Sequence, residues 1–187
     1  MNISELPYSL MSELGRVRRG QNPPVHLWHP ETKSDIDLVI SKEGVWNYCG
    51  SPIKKPRLIR LFASVLRKDR DDYYLVTPIE KCRITVEDVP FQAVLMQVSG
   101  EGTSACLKLT TDMAEQVTID EKHPLRIFQN GEETVPYVLV RDRMECRLSR
   151  NVYYQLAELM VSRRSSRNGA EWMGVWSHGS FFPMLPI

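Results

Sequence analysis

Apolar and polar residues alternate along most of the chain, and this period of two predicts strands with one buried face. Ile36, Leu38 and Ile40 form the clearest series, because they recur at every second position. Further strands are predicted over residues 45–48, 73–77, 81–86, 91–98, 106–109, 116–119, 135–140, 144–148 and 172–176. Charged segments at residues 42–44, 68–72 and 141–143 predict turns between them. The chain is therefore expected to be rich in sheet.

Three segments carry apolar residues at helical spacing instead. The first spans residues 3–17 and is followed by basic residues and Gly20, which suit a helix C-terminus. Pro56 opens the second helix, and Ser149 caps the third. The apolar stripes of the second and third helices are Leu58, Leu61, Phe62 and Val65, and Val152, Leu156, Leu159 and Met160. We expect Leu61, Phe62 and Leu156 to be buried.

Two segments have no regular apolar pattern and are predicted to be connections. Prolines within residues 23–30 predict an extended, polyproline-like connector. Residues 162–169 are basic and polar, which predicts a linker between the third helix and the final strand.

The order of these elements predicts an α+β protein with two small domains, each a mostly antiparallel sheet packed on one helix. We place the domains at residues 1–87 and 88–187. Residues 35–77 and 135–176 share the order strand, charged turn, strand, amphipathic helix, charged loop, aromatic strand. This shared order suggests related motifs and an internal duplication, although strand–turn–strand–helix units are common in α+β proteins generally.

The balanced composition argues against several classes of protein. Of the 187 residues, 42% are hydrophobic and 25% are charged, which is typical of a globular chain and not of a disordered one. The 24 Lys and Arg residues nearly cancel the 23 Asp and Glu residues, and the net charge is +1. A strongly basic nucleic-acid-binding protein is therefore not expected.

The cysteines and the apolar segments bear on location. The four cysteines, at positions 49, 82, 106 and 146, form no Cys-x-x-Cys pair, which suits free thiols in a reducing compartment. The first residues lack the pattern of a signal peptide, and no stretch approaches the roughly 18 apolar residues of a membrane span. We expect a cytoplasmic protein without membrane contact.

Several short motifs are distinctive when they are taken together. They are Glu43-Gly44-Val45-Trp46, Gly50-Ser51-Pro52-Ile53, Leu61-Phe62-Ala63-Ser64-Val65-Leu66, Thr77-Pro78-Ile79-Glu80-Lys81, Val86-Glu87-Asp88-Val89-Pro90-Phe91, and Pro136-Tyr137 to Arg141. The set resembles the bacterial family known as domain of unknown function 1285 (DUF1285), from about Pro24 to about Val161. The resemblance implies two small α+β domains without an assigned activity, and a suspected role in ligand sensing or signal transduction.

A set of aromatic and charged residues forms the candidate ligand site. Trp46 and Arg57 flank the first strand–helix junction, and Arg141 and Arg150 flank the second. If the two junctions face each other, they line one cleft between the domains. An aromatic plane with several guanidinium groups suits an anionic or planar small ligand. The candidate binding residues are Trp46, Arg57, Glu80, Lys81, Arg141, Arg147 and Arg150.

Three functions are compatible with these residues. The leading hypothesis is a non-catalytic protein that binds a small anionic ligand or transduces a signal. The purely structural alternative is that Trp46 is a core residue and the aliphatic parts of the arginine side chains cover apolar surface. A metal-assisted hydrolase or transferase would use Glu80, Glu87 or Asp88, although these residues also fit a solvated strand face. A protein-interaction module would use the N-terminal helix and residues 23–30.

No motif identifies a catalytic residue, a metal site or a cofactor. His26 and His29 are three residues apart, but the nearby prolines argue against a helix and no further ligands lie close in sequence. No glycine-rich phosphate loop is present, so no nucleotide cofactor is expected. The basic clusters at residues 16–19 and 163–167 follow predicted helices, where cations are favoured without nucleic acid. No protein partner is identified by the sequence.

Overall fold

The computed structural model of the protein describes residues 23–130, 133–164 and 169–187. The chain divides into two compact units, and the boundary falls between Pro90 and Phe91. The helix predicted over residues 3–17 lies outside the described residues. So do the first basic cluster and part of the second.

The first unit contains a six-stranded sheet, called sheet 1, and one α-helix. Its elements in chain order are β1 (Thr32–Ile40), β2 (Trp46–Tyr48), β3 (Ser51–Pro52), α1 (Pro56–Ser64), β4 (Leu66–Asp69), β5 (Asp72–Val76) and β6 (Glu80–Val86). The strands lie in the order β3-β2-β1-β6-β5-β4, and all neighbours are antiparallel except β1 and β6. A 3-10 turn at Val25–Leu27 precedes them, where the sequence predicted an extended connector.

The apolar face of sheet 1 packs on α1, as the sequence predicted. Pro56 begins the helix, and Phe62 is fully buried and stacks on Trp46 with ring centroids 6.4 Å apart. Leu61 is only half-buried, which corrects its predicted burial, because the inward stripe passes through Leu58, Phe62 and Ala63. Residues 68–72 were predicted as a solvated turn, but most of them belong to the β4–β5 hairpin.

The second unit contains another six-stranded sheet, called sheet 2, one α-helix and a three-stranded sheet, called the third sheet. Its elements are β7 (Phe91–Ser99), a 3-10 turn (Gly102–Ser104), β8 (Cys106–Thr111), β9 (Gln116–Thr118), β10 (Leu125–Asn130), β11 (Glu133–Arg141), β12 (Met144–Leu148), α2 (Arg150–Glu158), β13 (Val161–Arg164), β14 (Glu171–Ser177) and β15 (Ser180–Pro186). The strand orders are β10-β11-β12-β7-β8-β9 and β13-β14-β15.

Helix α2 begins where the sequence predicted. The Ser149 side chain accepts a hydrogen bond from the Val152 N–H, which is an N-cap, and Val152 and Leu156 are buried. The predicted linker after the helix is partly a strand, β13, at the edge of the third sheet. Strands β10 and β15 were not predicted. Residues 125–130 have exposed Arg126 and Phe128, and two prolines interrupt residues 180–186.

Sheets 1 and 2 follow the same path. The chain enters sheet 1 at its centre with β1, runs outward to the edge at β3, crosses to the opposite edge at β4 and returns with β6 parallel to β1. Sheet 2 repeats this path from β7 to β12, which returns parallel to β7. The matching strands are therefore β1–β6 and β7–β12.

The helices lie at different points relative to this path, because α1 interrupts it between β3 and β4 whereas α2 follows its last strand, β12. Both units have the predicted order of strand, turn, strand and helix, but the sheets do not match over residues 35–77 and 135–176. After α1 the chain returns to sheet 1, whereas after α2 it forms the third sheet. The molecule thus has two similar α+β units, each with one helix, and a third sheet that belongs to the second unit alone.

Candidate functional site

A row of polar side chains crosses sheet 1. Asp35, Arg83, Tyr74 and Arg67 lie side by side on β1, β6, β5 and β4. Residues opposite each other on neighbouring strands point to the same face, so the four side chains share the face that is turned away from α1.

Ion pairs neutralise most of the charge in this row. The Arg83 guanidinium donates to both oxygens of Asp35, at 2.8 and 3.2 Å. Arg67 donates to Asp69 at 3.0 Å, and Lys81 pairs with the same carboxylate while its ammonium lies 3.7 Å from the Tyr74 ring centroid. Burial raises the pKa of the Asp69 carboxyl, but the hydrogen bonds from Lys81 and Arg67 outweigh it, and the pKa lies below its ordinary value.

Arg67 also fixes the segment that precedes sheet 1. Its Nη1 donates to the carbonyl oxygens of Val25 and Trp28, at 2.8 and 2.7 Å. Only 12% of the Arg67 side chain is exposed. The 3-10 turn therefore lies against the edge strand β4 and is held there by a nearly buried guanidinium.

Sheet 2 carries the same row at the matching positions. Gln92, Arg147, Tyr137 and Arg126 lie side by side on β7, β12, β11 and β10. The arginine–tyrosine–arginine order is unchanged, while Asp35 is replaced by Gln92. Arg126 donates to both oxygens of Glu145, each at 2.6 Å, and is 58% exposed. The register of both sheets thus supports a common origin of the two units.

The neighbouring apolar row also matches, and it places one cysteine in each sheet. Cys82 lies opposite Leu75, and Cys146 lies opposite Val138. Both thiols are buried. Burial raises the pKa of Cys82 to about 11 and that of Cys146 to about 12, so neither thiol is a ready nucleophile.

Four of the predicted binding residues belong to the first unit, where they have different environments. Trp46 is 1% exposed and lies on the apolar face of sheet 1, whereas Lys81 lies on the opposite face. Arg57 is exposed in the first turn of α1. The Glu80 carboxylate accepts a hydrogen bond from the Ser34 hydroxyl at 2.8 Å. Sheet 1 itself therefore keeps Trp46 and Lys81 apart.

The other three predicted residues belong to the second unit. Arg141 ends β11, where its Nε donates to the Glu115 carboxylate at 2.9 Å and its guanidinium lies 5.5 Å from the Phe91 ring centroid. Arg147 is in the polar row of sheet 2, and Arg150 is exposed as the first residue of α2. Lys81 and Arg141 are thus both paired with carboxylates inside their own units.

The carboxylates of the hydrolase alternative are engaged locally. Glu87 accepts a hydrogen bond from the Lys42 backbone N–H at 3.0 Å, and Glu80 is held by Ser34. In the described part of the chain, no three His, Cys, Asp or Glu side chains form a group that could hold a metal ion. Within the same residues, no helix has both the length and the apolar character needed to span a bilayer.

A polar pocket of about 350 Å³ lies in the first unit, next to an irregularity in the β1–β6 pairing. Three carboxylates, those of Asp35, Asp71 and Asp72, line it together with Arg83. Since Asp35 already pairs with Arg83, the lining has an excess of negative charge. This pocket repels anions and does not provide the anionic-ligand site expected from the sequence.

A larger pocket of about 440 Å³ lies in the second unit, between the edge strand β10 and the third sheet. One wall consists of β10 residues, and the other is mostly apolar. The lining residues are Leu125, Arg126, Ile127 and Gln129 on β10, and Trp172, Met184, Pro183 and Pro186 on β14 and β15. The volume suits a small organic ligand, and a tryptophan wall suits a planar one.

Sequence reasoning missed this second pocket because it requires two strands that were not predicted. Trp172 was placed in a strand, but the register Trp172–Pro186 forms only once β15 is present. Gly174 is a further signal, because a Cβ atom there would lie 2.3 Å from the Phe182 oxygen and 2.7 Å from the Phe181 ring. A glycine between two tryptophans in a strand indicates such a close approach.

Comparisons with known proteins agree with this two-unit architecture. The family description "Domain of unknown function (DUF1285), N-terminal domain" matches residues 23–89, and the corresponding C-terminal domain matches residues 90–184. A crystal structure of a DUF1285 family protein from Silicibacter pomeroyi DSS-3 has a TM-score of 0.86 and 38% identity, with 95% of each chain covered.

A second solved structure supports the fold. It is a DUF1285 family protein from Shewanella baltica OS155, with a TM-score of 0.53 and 24% identity over 66% of this chain and 91% of that one. A search of curated proteins found no match.

Proposed function

This chain belongs to the DUF1285 family, and from that premise we propose that it is a non-catalytic protein that binds a small planar ligand. The observation that carries the proposal is the pocket of about 440 Å³ between β10 and the third sheet, with Trp172 on its wall. The proposal retains the small-ligand hypothesis and the aromatic plane that the sequence suggested. It moves the aromatic residue from Trp46 to Trp172.

The pocket has the composition of a binding site and lacks charged groups suited to acid–base chemistry. Met184 and Leu125 are buried, whereas Trp172 and Ile127 are half-buried, so a ligand would cover the apolar surface that Trp172 and Ile127 still expose. The charged residue among its lining residues is Arg126, which is already paired with Glu145. Binding without turnover is the function that this lining favours.

An anionic ligand is less well supported than a planar one. Lys81 and Arg141, two of the cations expected to bind it, are paired with Asp69 and Glu115. Removing a ligand anion from water and placing it beside an already paired cation gains little. Signal transduction in response to the ligand remains part of the proposal, and so does a cytoplasmic location, which the four free cysteines support.

The test uses two tryptophans of one strand. Quinoline, a planar probe of suitable size, is titrated into the full-length protein and into Trp172→Ala and Trp176→Ala variants, with backbone amide shifts followed by NMR. We expect saturable shifts around β10 in the wild type and in Trp176→Ala, because Trp176 lies against Arg163 and Phe181 instead. Loss of at least tenfold in affinity is expected only for Trp172→Ala. Equal binding by all three proteins would refute the proposed function.

A further inference from the structure

The pocket lies beside β10, an edge strand of sheet 2, and the register of the ladder determines which backbone groups of β10 point away from β11. The Leu139 N–H donates to the Pro124 carbonyl, so Pro124 and Leu139 form a hydrogen-bonded pair just before β10 begins. Hydrogen-bonded and non-hydrogen-bonded pairs alternate in an antiparallel ladder. Arg126 therefore points its backbone groups towards β11, whereas Leu125, Ile127 and Gln129 point theirs outward.

The three residues with outward backbone groups all line the pocket. β10 is the last strand of sheet 2, so these N–H and C=O groups have no strand partner among the described residues. The carbonyl of Leu125 and the N–H of Ile127 are neighbours along this edge. Unpaired strand edges bind groups that offer a donor and an acceptor side by side.

The opposite wall limits what can bind there. Trp172, Met184 and the two prolines offer mainly apolar surface, and a proline has no backbone N–H to donate. Arg126 contributes little net charge because Glu145 holds it through two hydrogen bonds of 2.6 Å. The pocket thus combines a mainly apolar wall with little net charge, and an edge strand lies beside it.

We infer that the ligand is a neutral planar molecule with a lactam-type edge, in which a ring N–H and a ring carbonyl are adjacent. Its N–H donates to the Leu125 carbonyl, its carbonyl accepts from the Ile127 N–H, and its ring lies against Trp172. This inference rests on the proposed function and specifies the class of ligand for the same pocket.

Three probes of one size test the edge by NMR titration of the full-length protein. They are quinolin-2(1H)-one, its N-methyl derivative, which cannot donate, and quinoline-2-carboxylate, which is anionic. We expect the lactam to bind about tenfold more tightly than the N-methyl compound, because the outward Leu125 carbonyl would lose its donor. The carboxylate should bind no more tightly than the N-methyl compound.

A backbone variant tests the protein side of the same contact. Ile127 lies opposite Pro136 in a non-hydrogen-bonded pair, so Ile127→Pro removes the outward N–H without removing a ladder hydrogen bond. The variant should bind the lactam about tenfold more weakly, while Ile127→Val should bind it like the wild type. Because the N-methyl probe tests the edge in unmodified protein, a misfolded proline variant does not decide the question.

The outcomes separate the two proposals. If the probes depend on Trp172 but the lactam and N-methyl compounds bind equally, the planar site stands and the edge assignment is wrong. If the carboxylate binds most tightly, the neutral class is wrong. If an acetylated and amidated Val-Thr-Val peptide binds more tightly than the lactam, the edge accepts an extended peptide and the inference is overturned.

Discussion

The two six-stranded sheets share the same strand order and the same arginine–tyrosine–arginine row, but their matching edge strands, β4 and β10, have different neighbours. At the edge of sheet 1, Arg67 binds the carbonyls of Val25 and Trp28 and holds a 3-10 turn against β4. At the matching edge of sheet 2, Arg126 turns to Glu145 and β10 lines a pocket. An exposed edge needs a cover, because its unpaired groups attract other chains.

The difference indicates which of the two similar units can offer an edge strand to the proposed ligand. In the first unit a segment of the same chain, the 3-10 turn, contacts the edge strand β4 and is bonded to Arg67. In the second unit the third sheet provides an opposite wall without closing the groove. The two units thus share the sheet and differ in the segments that lie beside its edge strand, the 3-10 turn in the first unit and the third sheet in the second.

Thiol labelling provides the largest expected effect. Cys82 and Cys146 occupy matching buried positions, whereas Cys49 is exposed. With 5,5′-dithiobis(2-nitrobenzoate) at pH 8, Cys49 should react roughly a thousandfold faster than Cys82 or Cys146. The reagent can reach a buried thiol only after the sheet around that thiol opens. Mass spectrometry of partly labelled protein assigns each site. Fast reaction of one buried cysteine alone would show that the matching cores are not equally closed.

The next largest effect is expected in the core beneath α1. Phe62→Ala should lower the free energy of unfolding by about 3–5 kcal/mol, because it leaves a cavity against Trp46. Phe128→Ala, at a residue of sheet 2 that is 55% exposed, is the matched control and should change it by less than about 1 kcal/mol. Urea unfolding followed by tryptophan fluorescence gives both values. A cost below about 1 kcal/mol for Phe62→Ala would mean that α1 is not packed as described.

The sequence predicted these helices well because their signals are local. Pro56, Ser149 and the stripe residues lie within one or two turns of each other, and a short segment contains all the information needed. The strands β1, β6, β11 and β12 were found for the same reason, since their alternation requires no distant partner. Fold class could therefore be predicted from local patterns.

The candidate site could not be predicted in this way. The site requires that β10 and β15 lie close together in the folded unit, although they are far apart in sequence. The sequence of β10 also has no regular alternation, because Arg126 and Phe128 are exposed on an edge strand. The predicted cations were sensible choices by residue type. Sequence could not show that Asp69 and Glu115, which are 12 and 26 residues away, would pair with Lys81 and Arg141.

The matching arginines provide a direct comparison of the two edges. Arg67→Ala should destabilise the protein by about 2–3 kcal/mol, because two carbonyls and Asp69 lose a charged donor in a nearly buried setting. Arg126→Ala should cost less than about 1 kcal/mol, since Arg126 is 58% exposed. Chemical denaturation of both variants measures the difference. Equal losses of unfolding free energy in the two variants would show that Arg67 and Arg126 do not differ in their contribution at the two edges.

The smallest effect is a difference in pH dependence between two aspartates, one in each unit. The pKa of Asp69 is lowered in the folded protein, so its stabilising contribution is present above the unfolded value of about 3.9 and is lost as the pH falls through the folded value. The pKa of Asp112 is raised, mainly by burial, so its contribution is present below about 3.9 and is lost as the pH rises through the folded value. From pH 3 to pH 5, the free energy of unfolding of the wild type should therefore rise relative to that of Asp69→Asn. Over the same range it should fall relative to that of Asp112→Asn. Urea midpoints measured at intervals across this range test the signs, and slopes of the same sign would contradict the contrast between a carboxylate held by two cations and one buried beside Gln92.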